Sequence, residues 1–245
     1  ASISPYYKSE NYISHTNTSK GLINRLYQSV RKRTVKQKRK LIEKGTGVQK
    51  GILLDVGSGT GAFANEMKQS GWQVTALEPD EDARRVGKKL YNIDLEDSSQ
   101  FYQLPESFYD AITMWHVLEH VHDLQGYITK LKLLLKENGK LIIAVPNYTS
   151  KDAAVYKEHW AAYDVPRHLY HFSPQSMKEL VEKHGLKIVQ CKPMWYDSFY
   201  VSMLSSKCRN GKTNLLAAFF NCFRSNLKVM GDVKRCSSVI YIFGK

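Results

Sequence analysis

A glycine-rich turn is the feature of this sequence whose residue types and spacing are best suited to holding a ligand. Gly57, Gly59 and Gly61 alternate with Ser58 and Thr60 directly after an apolar run. Glycine lets a backbone turn tightly and approach a ligand closely, because it carries no Cβ. A helix that begins after such a turn offers free N–H groups to a carboxylate or a hydroxyl. We therefore predict a nucleotide-binding turn.

Two carboxylates near the turn strengthen this prediction. Glu78 follows Gly61 by 17 residues, at the end of the next predicted strand. An acid at that position can accept hydrogen bonds from both ribose hydroxyls of a nucleoside. Asp55 stands inside the apolar run, where a buried carboxylate is costly unless something satisfies it. An ammonium group of the ligand would do so, directly or through water.

Six of the eight histidines fall in two groups that follow predicted strands. Ligands bind at that edge of open α/β sheets, and histidine accepts protons near neutral pH. The groups are His116, His120 and His122, and His159, His168 and His171. We predict a histidine base, with His168, His171 or His120 as the candidates. Any one of them could instead be a hydrogen-bonded structural residue.

The loop of the second histidine group also carries side chains suited to binding a substrate molecule, namely Trp160, Tyr163, Arg167 and Tyr170. The planar guanidinium of Arg167 matches a carboxylate or a phosphate. Alternatively, Arg167 pairs with Asp164 and braces the loop. The sequence leaves both interpretations of Arg167 open.

A metal site is a competing interpretation of the first histidine group. His116-Val-Leu-Glu-His120 matches the HxxEH pattern of a group of zinc peptidases. That chemistry needs both histidines on one helix face and a third ligand elsewhere. Here the pattern begins at the end of a predicted strand in a nucleotide-binding layout, so we expect no metal. The four cysteines lack CxxC spacing, and we expect neither a zinc site nor a disulfide framework from them.

Strands and helices alternate along the segment that must position these residues. Apolar runs predict strands at 51–56, 72–77, 109–114, 140–145, 186–192 and 238–243, with a weakly indicated one somewhere in 92–104. Helical patterns occupy 62–70, 80–90, 124–136 and 173–185. This alternation predicts an α/β fold, a mostly parallel sheet with helices on both faces.

Four segments in this order resemble class I S-adenosylmethionine-dependent methyltransferases. They are Asp55–Gly61, Glu78–Asp80, Tyr109–His120 and Leu134–Pro146. The resemblance covers roughly residues 50–190 and is closest to the broad group that contains ubiquinone-biosynthesis O-methyltransferases and many uncharacterised bacterial relatives. It implies a Rossmann-like fold with a seven-stranded sheet over residues 46–245. Residues 1–45 would then be an N-terminal basic helical arm, and 195–235 a helical lid or insertion before the last strand.

The resemblance also implies the cofactor, S-adenosylmethionine, with S-adenosylhomocysteine as the product. Glycines of the turn would contact its methionine and ribose portions, Glu78 its ribose, and Trp115 with His116 its methionyl side. Adenine recognition would fall to Gln100 and Phe101, which precede Leu104-Pro105. The complete expected set is Asp55, Gly57, Ser58, Gly59, Gly61, Glu78, Pro79, Gln100, Phe101, Trp115 and His116.

We predict methyl transfer to a small or carrier-linked metabolite, preferably to an oxygen. Such a displacement gains most from alignment of nucleophile, methyl and sulfur, and needs a base only if the acceptor arrives protonated. An NAD-dependent oxidoreductase is the alternative enzyme, because a glycine-rich turn with Glu78 also suits NAD. The spacing disfavours it, since dinucleotide turns read GxGxxG and Ala62 stands where that pattern would continue.

The distribution of charge adds expectations about partners and location. The net charge is +13, and nine Lys or Arg residues face a single acid between Arg25 and Lys44. This segment is a solvated helix face or a contact for phosphate-bearing partners such as RNA or anionic lipid. No aromatic RNA-stacking motif accompanies it. Apolar runs stay far below the roughly 20 residues that span a bilayer, and the first residues lack secretory-signal features, so we expect a soluble, cytoplasmic protein.

Overall fold

The computed structural model describes residues 22–210 and 232–245, and its α/β architecture confirms the predicted fold class. In chain order its longer elements are α1 (Leu22–Thr46), β1 (Ile52–Val56), α2 (Ala62–Gln69), β2 (Gln73–Leu77), α3 (Glu81–Tyr91), β3 (Tyr109–Trp115), α4 (Leu124–Leu134), β4 (Leu135–Pro146), α5 (Lys151–Tyr156), α6 (Pro174–Lys183), β5 (Lys187–Pro193), α7 (Trp195–Asn210) and β6 (Ser238–Gly244).

The six strands of the described residues form one sheet in the order β2-β1-β3-β4-β6-β5. β1 pairs in parallel with both β2 and β3, which places Asp55 between Ala76 and Thr113. β5 and β6 pair antiparallel, with an irregularity after Ile188. Parallel strands that are covered on both faces are apolar throughout, which accounts for the apolar runs that predicted them.

The described residues form two compact units. The first contains 22–114 and 130–141, and its core includes the fully buried side chains of Leu53, Leu54 and Ile112. The second contains 115–129, 142–210 and 232–245. Its buried side chains include Trp160, Val181 and Tyr241. The glycine turn belongs to the first unit, and both histidine groups belong to the second.

The strand predicted within 92–104 is reduced to a single residue pair. Glu96 forms one parallel bridge with Leu77, after which the chain enters a 3-10 helix over Ser98–Gln103. The carboxylate of Asp97 accepts a hydrogen bond from the backbone N–H of Ser99 at 2.9 Å and so caps this helix. Because the cap turns the chain at once, the described residues contain six strands instead of the predicted seven.

The boundary between α4 and β4 lies earlier than the sequence indicates. We predicted a helix to residue 136, stopped by Gly139, and a strand from residue 140; α4 ends at Leu134 and β4 begins at Leu135. Gly139 therefore lies inside the strand. A Cβ at Gly139 would stand 2.9 Å from the carbonyl oxygen of Tyr109, so this glycine permits a close approach between backbones.

Of the predicted basic arm, residues 22–45 lie in one long helix, α1, which is part of the first unit, and residues 1–21 lie outside the described residues. Ile42 is fully buried, and Arg39 pairs with Glu43 of the same helix at 2.8 Å and with Glu66 of α2 at 3.1 Å. Gly47, with φ of 73°, follows the helix and donates its N–H to the carbonyl of Glu43. The boundary at residue 45 between an arm and a methyltransferase domain stays a prediction.

The predicted insertion begins as α7, whose residue Val201 is buried against the second unit's core. Residues 211–231, the larger part of the proposed lid, lie outside the described residues. The lid therefore stays a prediction. Across the described residues, no helix combines the length and the apolar character needed to cross a membrane.

Candidate functional site

The glycine turn connects β1 to α2 in a conformation that requires glycine. Gly57, Gly59 and Gly61 have φ values of 72°, 55° and 75°, in the left-handed region that side chains disfavour. The N–H groups of Gly57 and Ser58 both donate to the carbonyl of Leu77, at 2.8 and 2.9 Å. These bonds fix the turn against the end of β2, where Glu78 follows.

The glycines of the turn differ in what surrounds them. A Cβ at Gly59 would meet nothing within 4 Å, whereas one at Gly61 would meet the side chains of Ile93 and Leu95 at 3.1 and 3.2 Å. Gly61 thus serves packing, and Gly59 borders open space. No side chain caps the first turn of α2. Open space beside an uncapped helix start fits the amino-acid and ribose portions of S-adenosylmethionine.

Glu78 lies beside this open space, as the sequence predicts. It is 8% exposed, and its carboxylate accepts hydrogen bonds from the backbone N–H groups of Gly59 at 2.7 Å and of Asp80 at 3.1 Å. A carboxylate has about four lone-pair positions, so two such bonds leave capacity for two ribose hydroxyls. Burial raises the pKa of Glu78, and the two backbone N–H bonds oppose that rise.

Asp55 is buried as predicted, at 1% exposure, but its partners are not the expected ones. Its two carboxylate oxygens accept hydrogen bonds from the hydroxyls of Thr113 and Ser58, each at 2.7 Å. Burial raises its pKa, which these hydroxyls and the charge of Lys38 in α1 partly offset. Protein hydroxyls thus satisfy Asp55, and a ligand ammonium group is not needed for that purpose.

The two residues expected to contact adenine have different surroundings, and their contacts with a cofactor stay a prediction. Phe101 is fully buried and packs edge-to-face on Tyr102, so its ring is part of the core, and Gln100 is exposed. The chain that lies beside Glu78 is instead Glu96, whose carbonyl accepts the N–H of Glu78 at 2.9 Å, followed by Asp97.

Arg84 connects Asp97 to the segment Glu78-Pro79, which follows β2. Its guanidinium donates to the carbonyls of Glu78 and Pro79 at 2.5 and 2.9 Å and to the carboxylate of Asp97 at 2.8 Å. The backbone N–H and hydroxyl of Ser99, followed by Arg84, lower the pKa of Asp97. The sequence signal for Asp97 is its position directly after the weak third strand, which counting back from Leu104-Pro105 overlooked.

Trp115 is the last residue of β3, and His116 follows it. His116 has φ of 59°, although it is not glycine, and its N–H donates to the carbonyl of Ala144 at 3.0 Å. Backbone strain of this kind clusters at functional sites because the surrounding structure must hold it. Contacts of these two residues with a cofactor stay a prediction.

All three candidate bases belong to one aromatic cluster in the second unit. The rings of His120 and His168 lie 4.7 Å apart, and that of His171 lies 6.4 Å from His168 and 5.3 Å from Tyr163. His122 is exposed, and His159 pairs with the neighbouring Glu158. Neither of these two histidines is part of the cluster.

His168 has the geometry of a neutral proton acceptor. Its Nδ1 lies 2.8 Å from the carbonyl oxygen of Ala162, which can only accept, so Nδ1 carries hydrogen and Nε2 has the lone pair. Burial, followed by the nearby charge of His120, lowers the pKa of His168, against the opposing effect of Glu119. A histidine with a lowered pKa is unprotonated at neutral pH, as a general base must be.

Glu119 is a residue that the sequence reasoning missed. Its side chain is fully buried, neither carboxylate oxygen accepts a hydrogen bond within the described residues, and one lies 3.3 Å from Nδ1 of His116. Its backbone carbonyl accepts the N–H groups of Leu169 and Tyr170, so it also holds the loop that carries His168. The signal was the HVLEH pattern itself, of which Glu119 is the acid.

The geometry disfavours the zinc-peptidase interpretation of that pattern. Leu118–His120 is a single 3-10 turn, which does not align His116 and His120 along one α-helix. Donor atoms of Glu119, His120 and His168 do lie within 4.8 Å of one another, a set that could hold a metal ion. Nδ1 of His120 already lies 3.0 Å from the carbonyl of Arg167.

The four predicted acceptor-binding residues have different surroundings. Trp160 is 2% exposed and packs with Tyr156 and Val201, so it belongs to the hydrophobic core beneath the surface of the loop. Arg167 forms an ion pair with Asp164, the second of the two interpretations that the sequence left open. Tyr170 donates its hydroxyl to the carbonyl of His122 at 3.2 Å, and Tyr163 is partly buried beside Trp160.

Comparison with known proteins places this geometry in a wider context. Residues 25–191 match the family model described as a methyltransferase domain. A Rickettsia canadensis protein named ubiquinone biosynthesis O-methyltransferase is 28% identical over 180 residues, covering 64% of this chain and 73% of the relative. A Tropheryma whipplei protein named demethylmenaquinone methyltransferase is 28% identical over 119 residues, covering 47% of this chain and only 50% of the relative.

The fold has counterparts among solved structures. A SAM-dependent methyltransferase from Archaeoglobus fulgidus superposes with a TM-score of 0.57 at 18% identity, covering 88% of this chain and 94% of that one. At such identity the likeness concerns the fold alone, because one fold hosts many activities. It agrees with the mostly parallel sheet described above.

Proposed function

Because the chain belongs to the methyltransferase domain family, we propose that the protein transfers a methyl group from S-adenosylmethionine to a hydroxyl group of a small or carrier-linked metabolite. The observation that carries the proposal is the pairing of Gly59 with Glu78. Glycine leaves open space there, and the half-satisfied carboxylate of Glu78 borders that space. A bare turn and a ribose-binding acid together suit a cofactor that contains a nucleoside.

The residues of the first unit would bind and orient the cofactor. When bound, S-adenosylmethionine supplies an electrophilic methyl group on a sulfonium. Glu78 would accept the ribose hydroxyls, and the uncapped first turn of α2 would face the carboxylate of the methionine portion. Asp97 would lie nearest the adenine, at the position that the sequence predicted for Gln100. The reason is that its neighbour Glu96 pairs directly with the end of β2.

A histidine of the second unit would remove the acceptor's proton. His168 is the strongest candidate, because its protonated Nδ1 directs the lone pair to Nε2 and because its pKa is lowered. Glu119 favours the charge that His168 gains on taking a proton. His171 and His120 remain candidates beside it, and Tyr163 with Tyr170 are the proposed contacts for the acceptor.

The printed name of one of two relatives supports an oxygen acceptor, and the other name specifies no acceptor atom. One relative is named for ubiquinone biosynthesis and O-methyl transfer, and another for demethylmenaquinone. The chain spans only half the length of some of these relatives. The identity of the acceptor is therefore a proposal, which the similarity to these relatives does not show. A carrier-linked or lipid-linked acceptor, and RNA bound through α1, are the variants to be tested beside it.

A labelled-methyl assay tests the proposal. Purified protein would be incubated with S-adenosylmethionine carrying a tritiated methyl group and with three acceptor classes: dihydroxylated phenols, primary amines and RNA. We expect label in the phenol products alone, as methyl ethers by mass spectrometry. Label in amine or RNA would overturn the oxygen assignment, and absence of both transfer and S-adenosylhomocysteine binding would overturn the function.

A further inference from the structure

A groove in the second unit has no part in the proposed methyl transfer. It has a volume of about 830 Å³ and lies between α6, β5 and the 3-10 turn Val233–Arg235. None of the clustered histidines of the described chain lines it. Sites for small ligands commonly have volumes of about 300–1,000 Å³, so this space suits a molecule of nucleotide size.

Positive charge converges on the groove. Lys178, Lys187, Lys234 and Arg235 line it, against the acids Glu182 and Asp232, which is four cations against two anions. Lys178 lies 3.9 Å from Glu182, and Arg235 lies 3.5 Å from Asp232. Within the described residues the ammonium groups of Lys187 and Lys234 have no acid within 4.0 Å. These two lysines are therefore available to an anionic ligand.

The positive end of a helix adds to this charge. α6 is 10 residues long and begins at the groove, where Ser173, Pro174 and Gln175 line the wall. The hydroxyl of Ser173 accepts the N–H of Ser176, and Pro174 has no N–H to offer. Gln175 therefore supplies the remaining early N–H of this helix. A helix start attracts phosphate and carboxylate groups through its free N–H groups and its dipole.

A buried tyrosine lines the groove. Tyr241 is 1% exposed, yet it lines the groove, and its hydroxyl has no hydrogen-bond partner among the described residues. It pairs across the antiparallel strands with Cys191, another lining residue. Burial raises the pKa of Tyr241, so the phenol keeps its proton and can donate it. The hydroxyl can therefore donate a hydrogen bond to a ligand in the groove.

We propose that this groove is a second ligand site, which binds a small molecule carrying a phosphate group. Lys187, Lys234 and the start of α6 hold the phosphate, and Tyr241 donates a hydrogen bond from the floor. Ile188 and Pro174 supply apolar surface for the rest of the molecule. The site is independent of the proposed methyl-transfer function, because it shares no residue with the glycine turn or the histidine cluster.

Calorimetric titration of the full chain tests the proposal. The cofactor site is first saturated with S-adenosylhomocysteine, so that adenine compounds cannot enter it. Inorganic pyrophosphate, ATP and adenosine are then titrated separately at low salt. We expect pyrophosphate and ATP to bind, with affinity falling as salt rises, and adenosine not to bind. Absence of binding by both phosphate compounds would overturn the proposal.

Three variants locate the binding, and a fourth is the matched control. Lys187→Glu and Lys234→Glu are expected to weaken pyrophosphate affinity about tenfold or more, and Tyr241→Phe by several-fold. Lys183→Glu makes the same charge change on α6 outside the groove and should have little effect. Undiminished binding in both groove lysine variants would refute the site. Unchanged S-adenosylhomocysteine affinity in every variant verifies folding and keeps this test separate from the proposed function.

Discussion

Glu78 has two roles at the level of single residues. Without ligand it ties the glycine turn to the start of α3, and with ligand its remaining lone pairs would hold the ribose. We predict that Glu78→Gln lowers S-adenosylhomocysteine affinity about 10- to 100-fold, because hydrogen bonds to a charged acceptor are worth roughly 1.5–3 kcal/mol. Calorimetry measures this directly. Glu81→Gln, an exposed acid three residues further on, is the control, and equal effects of the two variants would argue against a ribose contact.

His168 is the residue on which the proposed proton transfer depends. We predict that His168→Asn lowers the methyl-transfer rate at saturating substrates by about 10²–10⁴-fold, because that is the usual contribution of a general base. Asparagine can still donate to the carbonyl of Ala162, so the loop should remain in place. Affinity for S-adenosylhomocysteine should not change. His159→Asn, a change in a partly exposed histidine of the preceding 3-10 turn, should leave the activity unchanged.

The direction of the pKa shift sets the pH dependence of this step. A base must be unprotonated, and the pKa of His168 is lowered from its ordinary 6.5. The wild-type rate should therefore stay constant as pH falls to about 6.5 and decline only below that value. A rate that declines already above this pH would assign the proton transfer to another group.

The sequence predicted the places of single residues better than it predicted the residues that bond to them or pack against them. Glu78 and the glycines were predicted at their observed places, because local order along the chain determines them. Asp55 was predicted to be buried, but its partner Thr113 is 58 residues away, and no local pattern reports a pairing between strands. For the same reason an aromatic residue in a loop, such as Trp160, cannot be assigned to a pocket or to a core from sequence.

At the level of elements, variants of the glycine turn can distinguish an effect on ligand affinity from an effect on stability. Gly59 and Gly47 both have positive φ values, 55° and 73°, and a Cβ at either would meet nothing within 4 Å. Alanine at each should cost similar stability, about 1–2 kcal/mol for the left-handed conformation. We predict that only Gly59→Ala also loses S-adenosylhomocysteine affinity, by about tenfold or more, because its methyl group enters the ligand's space.

Paired measurements on the two alanine variants decide this point. Urea unfolding would compare their stabilities, and calorimetry their affinities for S-adenosylhomocysteine. If Gly59→Ala binds as tightly as Gly47→Ala, the open space at Gly59 is not the cofactor's. Gly61→Ala is a further comparison, which should lose more stability because its Cβ meets Ile93 and Leu95.

Element boundaries were predictable where capping residues are local. Asp80 caps α3 and Ser173 caps α6, as their sequence context indicates. The end of α4 was misplaced, because Leu131, Leu134 and Leu135 continue a helical stripe that sheet pairing overrides at Leu135. The prediction of a third strand was wrong because the helix cap at Asp97 ends the strand pairing after one residue pair. Pairing between distant segments decides such cases, and periodicity does not record it.

At the scale of the whole molecule, the choice between a methyltransferase and an NAD-dependent enzyme becomes a question of which ligand stabilises the fold. A ligand that binds only the native state at 100 times its Kd adds about 2.7 kcal/mol to the free energy of unfolding. For a chain of 245 residues this corresponds to roughly a 5–10 °C rise in Tm. We predict such a rise with S-adenosylhomocysteine and none with NAD, because the turn reads GxGxG, whereas dinucleotide turns read GxGxxG. A scan in which NAD raises Tm and S-adenosylhomocysteine does not would reverse the assignment, and Glu78→Gln should reduce whichever shift is real.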